Sequence, residues 1–276
     1  KIYERSQPTT AVKELFVRQI EQIVWQYKLA PETINVQGTT IVPEIQIFRI
    51  TLKTGELKPE ALRYIDGGNQ LGVAGYMVMP SVIYVADARE AMANVRAMAH
   101  AAQRPLMVYN NPVAYRVDLK PEHMLELADC EWIAAIKEST GDIRRITDLR
   151  NTVGDRYQLF LGVDDLAYEG LALGCDGLLA GVGCAFPRET VALYELVKAG
   201  KFAEALPLYQ WMTPMLHLDV SNKLVQNLKL IDVLVGVGTE HMRRPRLPLV
   251  GEERAFVESV VRKALETRPT QYQSVA

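Results

Sequence analysis

The sequence predicts a parallel α/β barrel. From Val73 onward, short apolar runs alternate with helical patterns at the spacing of successive strand and helix units. The GxGxxG and GKS/T phosphate loops that mark open nucleotide-binding sheets do not follow any of these strands. Reactive side chains instead follow several successive strands, and sites of this kind form at the carboxyl ends of barrel strands.

The regular part of the chain begins with the strand VAGYMVMP, which ends at Pro80. The strands predicted after it are PLMVY, WIAAIK, YQLFLG and GLLAG. The helices predicted between them cover residues 87–103, the pattern LKPEHMLELA, and residues 142–152 and 165–173. Because a helical crossover separates each pair of strands, the strands are expected to be parallel and right-handed.

The first 55 residues depart from this pattern. Residues 11–27 predict an amphipathic helix, and TINVQGTT predicts a short strand that ends in Gly38, Thr39 and Thr40. The next strand-like run, VPEIQIFRI, follows too closely for a parallel crossover. Either this region is an irregular part of the fold, or the polypeptide is incomplete or out of order there. The next helix, KPEALRYIDGGNQLG, is expected to be interrupted by Gly67 and Gly68.

From Pro187 onward the sequence predicts only helices. Their patterns are ETVALYELVKAG, KFAEALPLYQWMTPMLHL, NKLVQNLKLIDVLVG and EERAFVESVVRKALE. One of them is expected to close the barrel, and the other three to form an appended bundle. The predicted division is therefore a barrel over residues 1–199 and a C-terminal helical bundle over residues 200–276.

Composition excludes several classes of function. The 276 residues carry a formal net charge of −2, and no basic run is long enough to grip a nucleic acid backbone. We find neither a membrane-spanning apolar run nor a signal-peptide pattern, and expect a cytoplasmic protein. The three cysteines have no CxxC spacing and are interpreted as buried thiols. The histidines lie away from the strand ends, so no metal site is expected.

Tyr109 and Lys137 are the leading catalytic candidates, because each ends a buried strand and the two strands are consecutive. A lysine at the end of an apolar strand is partly desolvated, which favours a neutral amine able to form a Schiff base with a carbonyl. The nearby phenol can transfer the protons that this chemistry requires. The alternative is structural: Lys137 pairs with Glu138 or Asp142, and Tyr109 is a strand-end aromatic.

Further candidates follow other strands. Asp164 and Asp165 come after YQLFLG; one is expected to cap the next helix and the other to bind a substrate hydroxyl or amine. Gly181 and Gly183 follow the strand GLLAG, where small residues leave room for a ligand or simply form a tight turn. The residues Gly38, Thr39 and Thr40 can present N–H groups and hydroxyls to a carboxylate, as many plain turns also can.

Two motifs resemble one known family. YNNP, beginning at Tyr109, resembles the YNxP of the dihydrodipicolinate synthase and N-acetylneuraminate lyase group, and IKES, containing Lys137, resembles its IKE[AS]. The similarity runs over residues 72–269. It implies a (β/α)8 TIM barrel with a C-terminal helical extension, a Schiff base between Lys137 and a 2-oxo acid, and proton transfer by Tyr109. It also implies a homo-oligomer, either a tetramer or a dimer, that needs no cofactor other than the covalent Schiff base.

Departures from the family pattern narrow the choice of substrate. Ala114 stands where the synthases carry an arginine, and Ile41 and Val42 replace the Gly and Glu of the GTTGE carboxylate cradle. The paired tyrosines of the synthases, which follow the strand ending at Pro80, are also missing. GVDD resembles the GxDE of the lyases, which contacts substrate hydroxyls. Five segments are similar to a subgroup of 1-pyrroline-4-hydroxy-2-carboxylate deaminases: VYNNPVAY, GVDDLAYEG, CAFPRETVALY, LHLDVSNKLVQ and RRPRLPLVGEER.

The resemblance therefore favours deamination of a cyclic imine of a 2-oxo acid. Lys137 would open the ring, Tyr109 would move protons, Asp164 would orient the departing hydroxyl, and the Gly38 turn would hold the carboxylate. Two alternatives remain open. One is aldol cleavage of a 2-keto-3-deoxy sugar acid or an N-acetylneuraminate-type substrate, and the other is a non-catalytic homologue that binds a 2-oxo acid. Dihydrodipicolinate synthesis ranks below the deaminase and the aldolases, because Ala114 replaces the arginine and the paired tyrosines are missing.

Overall fold

The computed structural model describes residues 34–36, 39–41, 48–51, 59–80 and 85–272, with side chains from residue 65 onward. Two compact units make up the chain, Lys1–Phe160 and Leu161–Ala276. The sequence predicts a division elsewhere, into a barrel that ends at residue 199 and a helical bundle that begins at residue 200. That division stays a prediction. The helix predicted over residues 11–27 lies outside the described residues.

The first unit contains strands of a parallel sheet and a separate two-stranded sheet. Its strands are β1 (Ile34–Val36), β2 (Thr39–Ile41), β3 (Phe48–Thr51), β4 (Tyr76–Met79), β5 (Leu106–Asn110), β6 (Ile133–Glu138) and β7 (Gln158–Leu161). Strands β3 to β7 are neighbours in chain order, and the pairs β3–β4, β4–β5 and β5–β6 are parallel. This order is the one predicted from the alternating pattern.

Helices connect these strands as expected. They are α1 (Pro59–Gln70), α2 (Ala88–Ala102), α3 (Pro112–Tyr115), α4 (Pro121–Glu126) and α5 (Arg144–Val153). The boundaries of α2 match the predicted helix closely, because its ends carry strong local signals. Asp87 and Glu90 form a reciprocal capping box, and Gln103 ends the helix with a left-handed φ of 48°.

Two expectations for the N-terminal part are corrected. TINVQGTT is predicted as one strand that ends in Gly38, Thr39 and Thr40, whereas Ile34–Val36 and Thr39–Ile41 are separate strands that pair antiparallel in a two-stranded sheet of their own. Helix α1 is continuous through Gly67 and Gly68 rather than interrupted. Gly68 allows a close approach, since a Cβ there would lie 2.6 Å from the Tyr76 hydroxyl. That hydroxyl donates to the Ile65 carbonyl at 2.8 Å, so the glycine serves packing and not a helix break.

The core of the first unit lies along β4, β5 and β6. Strands β5 and β6 are buried along almost their whole length, which explains their continuous apolar sequences. The buried face of α2 packs into the same core through Ala91, Val95, Met98 and Ala99. Only the last residues of β5 and β6 carry polar side chains, so polar groups collect at one end of the sheet.

The second unit is mainly helical. Its elements are α6 (Ala167–Ala172), β8 (Gly177–Leu178), α7 (Pro187–Lys198), α8 (Phe202–Leu216), α9 (Leu224–Leu234) and α10 (Gly251–Glu266). The four helices predicted after Pro187 are thus all present. Arg268, just beyond α10, forms a bidentate ion pair with the fully buried Glu189 of α7, with N–O distances of 2.6 and 3.1 Å.

The helices within the described ranges include none with the length and apolar character needed to span a membrane.

Arg156 fixes the chain that leads into β6. Its buried guanidinium donates to the carbonyls of Ala128, Ile133 and Cys130 at 2.8, 2.8 and 2.7 Å. The guanidinium carbon also lies 4.4 Å from the centre of the Tyr157 ring. Burial lowers the pKa of Arg156 from its ordinary value. Each of the three guanidinium nitrogens of Arg156 serves a different carbonyl, a spread that the single Nζ of a lysine does not reproduce.

We expect Arg156→Lys to lower the free energy of unfolding by about 2 to 4 kcal/mol, because a lysine leaves about two of the buried carbonyls without a donor. Urea unfolding measures the change. Arg144→Lys is the matched control: its side chain is 83% exposed, and the change should stay within about 0.5 kcal/mol. Equal effects of the two substitutions would contradict the assigned role of Arg156.

Candidate active site

Tyr109 and Lys137 lie opposite each other at the carboxyl ends of β5 and β6. The parallel register pairs them directly. The Lys137 Nζ is 4.3 Å from the centre of the Tyr109 ring, and both side chains are partly exposed. The structure thus brings together the two residues that the sequence singled out. Their catalytic roles stay predictions.

The carboxylates that could have paired with Lys137 have other partners. Glu138 accepts from Asn110 and from the Thr140 backbone, at 3.1 and 2.7 Å. Asp142 accepts from the Arg144 guanidinium at 2.8 and 2.7 Å. The ion pairs found among the described residues do not include one between Lys137 and either Glu138 or Asp142, the pairs that the structural alternative expects.

A buried polar layer lies one residue beyond the pair, on the opposite face of the sheet. Asn110 and Glu138 are 1% and 2% exposed and occupy paired positions of β5 and β6. The Asn110 Nδ2 donates to Glu138 Oε2 and to Asp118 Oδ1, both at 3.1 Å. Its Oδ1 accepts from the Leu119 backbone at 2.9 Å. Asn110 thereby ties both strand ends to the loop after α3.

Glu138 in this layer and its partly exposed neighbour Asp118 have opposite pKa shifts. Burial raises the pKa of Glu138, although hydrogen bonds from Asn110 and Thr140 offset part of the effect. Burial would also raise the pKa of Asp118, but hydrogen bonds from Arg145 and Asn110 outweigh it and lower the pKa. Arg145 holds Asp118 in a bidentate pair at 3.0 and 2.9 Å. The sequence reasoning missed this layer, although a polar residue directly after each catalytic candidate was a visible signal.

The Tyr109 hydroxyl has a defined hydrogen-bond donor. Asn111 Nδ2 donates to Tyr109 Oη at 3.0 Å. The Tyr115 ring packs edge-on against the Tyr109 ring, with centroids 5.6 Å apart. Contacts to Asn111 and Tyr115 therefore hold the phenol from the side of α3.

Ser139 places a buried hydroxyl two residues after Lys137. Its backbone N–H continues the strand ladder by donating to the Asn110 carbonyl at 2.8 Å. Because side chains alternate along a strand, Ser139 and Lys137 point to the same face of the sheet. Within the described part of the chain, the Ser139 Oγ is buried and has no hydrogen-bond partner.

The predicted carboxylate cradle falls only partly on described residues. Thr39 and Thr40 lie in β2, paired with Val36 and Asn35 of β1. Gly38 lies outside the described residues. Binding of a substrate carboxylate by Gly38, Thr39 and Thr40 stays a prediction.

In the second unit, Asp164 supports a backbone turn. Its buried carboxylate accepts from the N–H groups of Gly181 and Val182 at 3.0 and 2.8 Å. Each oxygen therefore holds one N–H group of the turn that follows β8. Contact of Asp164, Gly181 and Gly183 with a substrate stays a prediction.

Two lesser expectations are corrected. Asp165 does not cap α6; its carboxylate pairs with the His217 ring at 2.9 Å. Cys130 and Cys175 are buried as expected, but Cys184 is exposed.

Among the described side chains, no three His, Cys, Asp or Glu residues form a group that could hold a metal ion. The expected independence from metals and organic cofactors stays a prediction.

Comparison with known proteins gives matches over most of the chain. A model of the Dihydrodipicolinate synthetase family matches residues 49–264, and a model of a domain of unknown function, DUF4391, matches residues 1–93. The 4-hydroxy-tetrahydrodipicolinate synthase of Geotalea daltonii is 27% identical over 207 residues, covering 74% of this chain and 70% of the relative. The DUF4391 match includes the first 55 residues, whose sequence departs from the regular repeat.

Solved structures match at lower identity. The 4-hydroxy-tetrahydrodipicolinate synthase of Methylacidiphilum fumariolicum SolV gives a TM-score of 0.73 at 22% identity and covers 78% of this chain and 72% of its own. A second match is YagE from E. coli K12, a prophage protein of the dihydrodipicolinic acid synthase family in complex with pyruvate. Its TM-score is 0.69 at 23% identity, and the match covers 75% of this chain and 71% of YagE. These likenesses confirm the predicted α/β barrel class.

We expect Gly181→Ala to lower the free energy of unfolding by about 1 kcal/mol, at the low end of the cost of overpacking, because the neighbours are flexible side-chain ends that can shift. A Cβ at Gly181 would lie 2.7 Å from Leu228 Cδ1 and would also collide with the Asp219 carboxylate. Gly183→Ala is the matched control, because its nearest neighbours would be 3.6 Å away. Urea unfolding of both variants tests the difference, and a stable Gly181→Ala protein would contradict the packing argument.

We expect Glu138 and Asp118 to change stability with pH in opposite directions. Burial raises the pKa of Glu138 in the folded state. Its contribution to the free energy of unfolding is therefore fully present below its unfolded pKa of about 4.3 and is lost as pH rises. A lowered pKa means that the Asp118 contribution is present above about 3.9 and is lost as pH falls.

Urea unfolding across pH, with Glu138→Gln and Asp118→Asn, measures both effects. The stability of the original protein relative to Glu138→Gln should fall from about pH 4 upward. Its stability relative to Asp118→Asn should fall below about pH 4. If the two differences in the free energy of unfolding changed with pH in the same direction, the opposite pKa shifts of Glu138 and Asp118 would be contradicted.

Proposed function

This chain belongs to the dihydrodipicolinate synthetase family, and we propose that it is a lyase in which Lys137 forms a Schiff base with a 2-oxo acid or its cyclic imine. The direct pairing of Lys137 with Tyr109 at the carboxyl ends of β5 and β6 is the observation that carries this proposal. An amine and a phenol on adjacent strand ends supply the nucleophile and the proton carrier that Schiff-base chemistry requires.

The steps follow from these two groups. The neutral Lys137 amine attacks C2 of the 2-oxo acid, and a carbinolamine forms. Tyr109 gives its proton to the carbinolamine oxygen, the C–O bond breaks, and water leaves as the nitrogen lone pair forms the iminium. The resulting phenolate takes up a proton in a later step. The protonated imine is itself the electron sink, so the chemistry needs no separate cofactor.

For the substrate we propose 4-hydroxy-1-pyrroline-2-carboxylate, which makes the enzyme a deaminase. Lys137 attacks C2 of the cyclic imine and opens the ring, the iminium acidifies C3–H, and the 4-hydroxyl leaves as water. Hydrolysis then releases ammonia and 2,5-dioxopentanoate, with a net uptake of one water. Ala114 supports this choice: it is exposed and has no guanidinium to hold the distant carboxylate of a synthase's aldehyde substrate.

The second candidate is 4-hydroxy-tetrahydrodipicolinate synthase. The names of the curated relatives favour it, including that of Pelobacter propionicus at 28% identity over 209 residues. The same Lys137 and Tyr109 would serve this reaction with pyruvate as the 2-oxo acid. Another 2-oxo acid aldolase would also use the pair, and it would release pyruvate.

We expect a covalent adduct at Lys137 when the protein is incubated with sodium borohydride and either pyruvate or 4-hydroxy-1-pyrroline-2-carboxylate. Intact-protein mass spectrometry detects the adduct and peptide mapping locates it. Lys137→Arg should form none, whereas the exposed Lys120→Arg should react normally. Tyr109→Phe should slow adduct formation by about 100-fold or more, because it removes the proton carrier.

The products then separate the candidate reactions. Ammonia release from the cyclic imine supports the deaminase, consumption of pyruvate with an aldehyde partner supports the synthase, and pyruvate release from a sugar acid supports an aldolase. If neither compound gives an adduct with the original protein, the Schiff-base proposal is wrong and a binding protein for 2-oxo acids becomes the better reading.

A further inference from the structure

We infer that Asn111 is a positioning residue that fixes where the proton of Tyr109 lies. This inference rests on the proposed function, in which Tyr109 carries protons for the Schiff base. Asn111 follows β5 directly and stands at the N-terminus of α3, so its backbone is held by both elements. Its side chain contacts the one atom of Tyr109 that exchanges protons.

The orientation of the Asn111 amide is set by its second contact. Asn111 Oδ1 accepts from the Ala114 backbone N–H at 3.0 Å, as an N-cap of α3. A backbone N–H can only donate, so the atom facing it must be the amide oxygen. The Nδ2 therefore faces the Tyr109 Oη, 3.0 Å away, and must donate to it.

A donor at this position has two consequences for Tyr109. The phenolic oxygen accepts from Asn111, so its own proton must point in another direction and is available for a reacting group. Once Tyr109 has given up that proton, the same N–H continues to stabilise the phenolate, because hydrogen bonds to a charged form favour it. Lys137 of β6 and Tyr115 of α3 are the titratable groups that the described part of the chain brings against the Tyr109 ring.

Three substitutions at Asn111 separate this role from helix capping. Asp and Ser both keep an oxygen that can cap α3, whereas Ala removes the cap. Asp also replaces the donor by an anionic acceptor, which would capture the Tyr109 proton. The inferred role makes Asn111→Asp the most harmful change to catalysis, whereas a role in capping alone makes Asn111→Ala the most harmful and leaves Asn111→Asp near normal.

The test measures the rate of borohydride-trapped adduct formation with pyruvate from pH 6 to 10. We expect Asn111→Asp to reduce the rate by about 10- to 100-fold and to move its profile to higher pH, with a thermal unfolding midpoint close to that of the original protein. In the Tyr109→Phe background the same substitution should have no further effect, since Asn111 acts through Tyr109. A normal rate for Asn111→Asp, or an equal loss in both backgrounds, would overturn the inference.

A second measurement does not depend on activity. The ultraviolet absorbance of tyrosinate is titrated in proteins with and without Tyr109→Phe, and the difference isolates the Tyr109 signal. With Asn111→Asp, that signal should appear at a higher pH than with the original Asn111, and an unchanged midpoint would overturn the inference. Absence of any adduct in the original protein would instead overturn the proposed function, so the two failures are distinguishable.

Discussion

The hydrogen bond between Asn110 and Glu138 is the constraint on which the candidate site depends. It joins the carboxyl ends of two parallel strands through side chains that are almost completely buried. Side chains alternate along a strand, so fixing Asn110 and Glu138 on one face fixes Tyr109 and Lys137 on the other. Because the bond has an ionisable acceptor in a buried place, its loss would leave a costly unpaired group. The backbone register pairs the phenol with the amine, and the polar contact behind them adds a side-chain link between the same two strand ends.

The same layer shows how the unit distributes charge. Arg145 makes its bidentate pair with Asp118 and not with the more deeply buried Glu138. Glu138 is held by neutral donors, the Asn110 amide and the Thr140 N–H. Burial therefore dominates at Glu138 and the ion pair dominates at Asp118, and this difference explains their opposite pKa shifts. One network thus contains a buried carboxyl held by neutral donors and a partly exposed carboxyl held by an ion pair.

Elements with local signals were predictable from the sequence. The strand and helix alternation predicted the parallel sheet, and the helical pattern predicted α2, whose start the structure shows to be capped by Asp87 with Glu90 as its partner. The pairing of Tyr109 with Lys137 followed from two consecutive strands in one sheet.

The errors arose where a residue distant in sequence determines the local structure. Gly68 suggested a helix break because the approach of the Tyr76 hydroxyl is invisible in the local pattern. Asp165 suggested a cap for the next helix for the same reason, whereas its carboxylate pairs with His217, which lies far along the chain.

The partners of the acidic residues bear directly on Lys137. A carboxylate beside any lysine favours the ammonium form and so opposes nucleophilic attack. Glu138 and Asp142 flank Lys137 in sequence, yet the first is occupied by Asn110 and Thr140 and the second by Arg144. The amine instead lies against the face of the Tyr109 ring, whose hydroxyl is held by Asn111. Both acids thus have other donors, and the strand-end lysine lies beside the phenol with which it would exchange protons in the proposed reaction.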